Sequence, residues 1–171
     1  MAKLYTESQV ASLLDALETK ASEIGGLLVK AQQGISRDSL DGYLKFRELS
    51  TEFDAFCIIV DMRLNNMKDD APVASMRLRY DDCVFAVSRT LVDASLRILF
   101  ALSDRQVLPL GSKDVFLTEL KSLYYTRERL GEDRFESRID EATKTQLGKA
   151  EQILMQIIDR APAMLDLGGG R

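Results

Sequence analysis

The chain has 171 residues, 46% hydrophobic and 29% charged, which is enough for a folded core and argues against wholesale disorder. Its 23 basic and 27 acidic side chains leave a net charge of −4, so the basic stripe that nucleic-acid binding demands is missing. Histidine is absent, which excludes Ser-His-Asp and Cys-His nucleophile systems, His-ligated zinc and Glu-x-x-His di-iron bundles.

The first predicted helix spans 6–34. Thr6-Glu7-Ser8-Gln9 has the form of a capping box, and Val10, Leu13, Leu14, Leu17, Ala21, Ile24, Leu28 and Ala31 follow at three-four spacing. Gly34 suits the position just past a helix end. Gly25-Gly26 interrupt the stripe and imply either a close helix approach or a bend.

The second helix is predicted over 37–68, with Ser36 or Asp38 at its start. Its stripe is Phe46, Leu49, Phe53, Phe56, Cys57, Val60, Leu64 and Met67; Leu44, Ile58 and Met62 form a weaker row behind it. Lys68-Asp69-Asp70-Ala71 breaks the pattern, and Pro72 opens a third helix over 72–103.

The third helix is apolar on two sides. Taking Tyr80 as zero at about 100° per residue, Val73, Met76, Cys83, Val84, Val87, Leu91, Ala94, Ile98 and Leu102 stay within roughly 60° of it. Leu78, Phe85, Val92, Leu96 and Leu99 fall between about 100° and 160°. A helix apolar on two faces is buried on two faces, either within its own domain or against another chain. This second stripe is the candidate partner or dimer interface.

Residues 104–111, around Pro109, read as a loop. Ser112 is the expected cap of a fourth helix over 113–131, whose apolar face is Val115, Phe116, Leu117, Leu120, Leu123 and Tyr124. Residues 126–149 are charge-rich, with Leu130, Phe135, Ile139 and Leu147 nearly alone. Gly131 is the expected stop and Asp133 the expected cap of a fifth helix over 133–165, carrying Ala150, Ile153, Leu154, Ile157, Ile158, Ala161 and Leu165. Residues 166–171 read as a flexible tail.

The opening residues carry no apolar stretch of a secretion signal, and no run approaches the roughly 18 residues of a membrane span. Cys57 and Cys83 sit at apolar phases, which reads as two buried thiols in a reducing, cytoplasmic setting. No metal or cofactor signature is present.

Tyr124, Arg127 and Arg134 share a helical phase and form a candidate anion site, since guanidinium groups match carboxylate or phosphate geometry. The run Arg77 to Asp82 is a charged candidate patch, weighed against ordinary charge flanking an apolar stripe. Glu48, Glu52 and Asp61 are the carboxylates on which an enzyme would have to be built, and the composition leans against one.

The expectation is an all-α, elongated antiparallel bundle of four to five long helices, packed in coiled-coil manner as a single domain over 1–171. Its expected function is non-enzymatic protein–protein interaction, as adaptor, chaperone or regulator, in a homodimer. The alternative is a bundle that senses a small anionic ligand through the arginine seam.

Overall fold

The structure, a computed structural model, describes residues 4–36, 39–68, 71–103 and 111–165; the side chains of Ser36 and of residues 158–165 lie outside the description. The chain is an all-α helical bundle. Its helices are α1 (Glu7–Ser36), α2 (Asp41–Asn65), α3 (Val73–Ser103), α4 (Ser112–Leu130) and α5 (Glu141–Leu165), with a short 3-10 helix at Asp133–Arg138. They form two compact units, Met1–Thr90 and Leu91–Arg171, to which α3 contributes residues 73–90 and 91–103.

In the first unit α1 starts as its residues dictate. The Thr6 amide donates to Gln9 Oε1 at 3.0 Å and the Gln9 amide to Thr6 Oγ1 at 3.4 Å, a reciprocal capping box. The helix then runs two residues past Gly34, whose carbonyl accepts the Ser39 amide at 2.9 Å. Gly34 therefore lies inside the last turn rather than beyond it. Helix α2 opens at Asp41 with Leu40 in the capping position and no side-chain cap, so it starts later than the expected Ser36 or Asp38. Gly25 and Gly26 face open space and serve no close approach.

The antiparallel packing of α1 on α2 can be read from two pairings. Gly42 lies against the backbone of Lys30, and the Lys20 ammonium meets Glu52 Oε2 at 2.7 Å. Both position pairs sum to one value, as antiparallel register requires, while the segments just outside the helices meet in a parallel bridge between Tyr5 and Met67. The glycine that permits close contact is Gly42, where a Cβ would stand 2.9 Å from the Lys30 carbonyl oxygen.

Helix α2 ends at Asn65 rather than at 68, because Met67 and Lys68 are drawn off to the segment before α1. Lys68 donates its amide to the Tyr5 carbonyl at 2.8 Å, and the Leu4 amide donates to Asn66 at 2.8 Å. The Arg63 guanidinium lies 4.7 Å from the Tyr5 ring centre and covers this link. Residues 69 and 70, in the expected break, lie outside the description. Pro72 stands just before α3, where its carbonyl accepts the Met76 amide.

The core of this unit is the predicted stripes: Val10, Leu14, Leu17 and Ile24 against Phe46, Phe53, Val60 and Leu64, with Met76, Tyr80, Val84 and Val87 of α3. The Tyr80 hydroxyl donates to the Cys57 carbonyl at 3.3 Å. Both cysteines are buried and neither is in a disulfide, and burial pushes the Cys83 thiol up to about 11.

In the second unit α4 packs against α5. The expected Ser112 cap is displaced by one residue. Gly111 holds the capping position with φ 87°, a left-handed conformation that favours glycine, and Ser112 is buried in the first turn. The buried face of α4 is Val115, Glu119, Leu123, Thr126 and Leu130, not the fully apolar face expected. Phe116, Leu117 and Tyr124 are exposed. Counting Ser112, three polar residues of α4 thus hold buried positions that a hydrophobic count passes over.

The expected single helix over 133–165 is two elements. Gly131 ends α4 as expected, Glu132 is extended, and the 3-10 helix closes on the extended Ile139. Asp140 then caps α5: its Oδ1 accepts both the amide and the hydroxyl of Thr143 at 2.7 Å. Leu130 and Phe135, isolated in the sequence, are fully buried and pin this corner to the core. Residues 104–110 and 166–171, the expected loop and tail, lie outside the described residues.

Candidate functional site

The candidate sites predicted from sequence fare differently. In the second stripe of α3, Val92 and Leu99 are buried within the chain, Phe85 and Leu96 are half-buried, and Leu78 is 56% exposed. The division follows helical angle. Residues near 100–120° from Tyr80 have joined the buried arc, together with Asp81 and Ser88, whereas those near 140–160° lie at its margin. The row behind α2 is the more open one: Leu44, Ile59 and Met62 are exposed, and Ile58 is 72% exposed.

The arginine seam is occupied by carboxylates. Arg127 pairs with Glu128 and with Glu151, both at 2.9 Å, while Arg134 pairs with Glu132 at 2.7 Å and lies over the Phe135 ring at 4.5 Å. Tyr124 is exposed and stacks edge-on against Tyr125. The depression beside Arg127 is walled by Glu128, Glu136 and Glu151 against only Arg127 and Lys144, which disfavours an anion.

The charged run of α3 serves packing. Arg79 donates Nε and Nη2 to the two oxygens of Glu18 at 3.0 and 2.9 Å, and Nη2 also reaches Asp15 at 2.8 Å. These carboxylates push its pKa up, which keeps the Arg79 guanidinium charged. Arg77 pairs with Asp61 and donates to Asn65 at 2.7 Å. With Asp61 tied to α3 and Glu52 to α1, the carboxylates considered for an enzyme serve different contacts. Among the described residues no three His, Cys, Asp or Glu side chains gather as metal ligands.

What the sequence reading missed is a groove in the second unit, of about 640 Å³. Leu96, Leu99 and Phe100 of α3 form one wall, and Gln146, Lys149, Gln152 and Gln156 of α5 the other, with Ile153 and Phe116 contributing apolar surface. Phe100 is 72% exposed at its lip. Asp93 holds the two walls together: it pairs with Arg97 at 2.8 Å and accepts from Gln146 Nε2 at 3.0 Å. A second apolar depression of about 330 Å³, lined by Leu102, Ser112 and Lys113, continues the groove through shared Ser103 and Phe116. The available signal was Phe100 itself, a large apolar side chain at about 200° from Tyr80 on the same count, just beyond the edge of the second stripe.

No family model, curated protein or solved structure matches the chain. Among the described residues no helix is long and apolar enough to cross a membrane.

Proposed function

We propose that this chain is a non-enzymatic protein–protein interaction module, an adaptor, chaperone or regulator, that receives a helix of another protein in the groove below Phe100. The observation that carries this reading is Phe100, 72% exposed beside a groove that Leu96 and Leu99 help to line. An exposed aromatic beside contiguous apolar surface is costly in water and marks a docking site. Grooves between helices are suited to the apolar row of an amphipathic helix.

A library of displayed helical peptides selected on the purified protein tests this. Selected peptides should lose binding to the Phe100→Glu variant, with its helical content unchanged by circular dichroism. An empty selection, or peptides indifferent to Phe100→Glu, would remove the reading.

Self-association as a homodimer belongs to the same class of function and is supported by a different surface, the outer row of α2 at Leu44, Ile58, Ile59 and Met62. The anion-sensing alternative draws less support, because both of its arginines already face carboxylates.

A further inference from the structure

We infer that the occupant of the groove is a partner helix about three turns long whose polar edge is acidic. The inference rests on the docking reading above and adds the partner's length and charge.

Length follows from the walls. The α3 wall extends from Asp93 to Ser103 and the α5 wall from Gln146 to Gln156. Each covers ten residue steps, roughly 15 Å of helix, so the trough matches about three turns of a helix laid along it. A compact small molecule has no need of such a length, and Phe100 leaves the lip open rather than closed over a ligand.

Charge follows from the lining. Among the described residues Asp93 is the one carboxylate on either depression, and Arg97 and Gln146 already satisfy it. The other charges are Lys149 on the groove and Lys113 on its continuation. Among the described residues neither lysine has an ion-pair partner. The described lining is therefore net positive on a chain whose net charge is −4. An apolar row flanked by Glu or Asp satisfies both lysines and leaves the amides of Gln152 and Gln156 to bond the same polar edge. A basic row meets like charge at both lysines. Charge complementarity of this kind selects partners more than it adds affinity.

The test uses two labelled, helix-stapled peptides of about 15 residues. They share a leucine row at i, i+3, i+4 and i+7 and differ only in flanking Glu or Lys, and fluorescence anisotropy measures binding to the full chain. The Glu peptide should bind about 10-fold more tightly than the Lys peptide at low salt, with the gap narrowing as salt rises. The double variant Lys113→Glu/Lys149→Glu should reverse the order, and Phe100→Glu should weaken both peptides.

Equal binding of the two peptides, or an order unchanged in the double variant, overturns the acidic partner. If Phe100→Glu still weakens both, the docking reading survives that result. Binding of neither peptide, or binding indifferent to Phe100→Glu, overturns both. Saturable binding of laurate with neither peptide bound reassigns the groove to a small amphiphile and likewise overturns both.

Discussion

Glycines 25, 26 and 42 look alike in the sequence, yet their neighbours differ. Gly25 and Gly26 have nothing near a would-be Cβ, while Gly42 would place one 2.9 Å from the Lys30 carbonyl oxygen and 3.3 Å from the Ala31 nitrogen. Backbone atoms cannot rotate away as a side chain can. Gly42→Ala should therefore cost about 1–3 kcal/mol through forced separation of α1 and α2. Gly25→Ala should gain about 1 kcal/mol, because it removes only the entropic penalty of glycine in a helix. Urea unfolding of the two variants should shift the midpoint in opposite directions. A matching shift would contradict the placement of Gly42 in the helix contact.

Individual elements show what is legible in a sequence and what is not. Helix α1 was readable from end to end because its cap, stripe and length agree, and only its last two residues differ. Helix α4 was not, since Glu119 and Thr126 occupy buried positions while Phe116 and Tyr124 are left outside, the reverse of what side-chain hydrophobicity dictates. The start of α5 was missed for another reason. Asp140 lies in a charge-rich stretch with several candidate caps, and only the fold shows that Thr143 donates to it. Asp140→Ala should cost about 1 kcal/mol, read as a lower thermal midpoint, and Asp140→Ser should restore most of it. No loss in Asp140→Ala would mean that the corner at Leu130 and Phe135 alone sets where the helix begins. The groove was illegible because no single helix carries it; its walls are more than forty positions apart in sequence, with Leu96 on one and Gln146 on the other.

For the whole molecule the open question is what covers its exposed apolar side chains. The second stripe of α3 was the candidate partner or dimer interface, weighed against burial within its own domain, and Val92 and Leu99 are buried in the chain's own core. The outer row of α2, which looked the weaker of the two, presents more apolar surface. A homodimer built on that row would have a solution mass of about 38 kDa, twice the 19.2 kDa chain, and Ile58→Glu should return it to monomer. A 19 kDa wild type would leave the groove under Phe100 as the interaction surface to pursue. A 38 kDa species unaffected by Ile58→Glu would place the seam elsewhere, with Leu78 as the next position to change.

The link between Tyr5 and Met67 has a consequence for how the first unit opens. A two-helix hairpin ordinarily unzips from the end opposite its connection, where first and last turns exchange their amide protons with solvent almost freely. Here that end is tied as well. The Leu4 and Lys68 amides are both given to the opposite strand of chain, and Arg63 lies over the joint. The helical pair is in effect a closed loop without a free end, so exchange should be slow at both extremities and fastest nowhere in particular along it. Removing residues 1–5 should restore the gradient, with protection in deuterium exchange falling first over residues 60–68 and 7–12 while the middle of α1 and α2 holds. An unchanged exchange pattern in the truncated chain would show that the tie contributes nothing to keeping the pair shut.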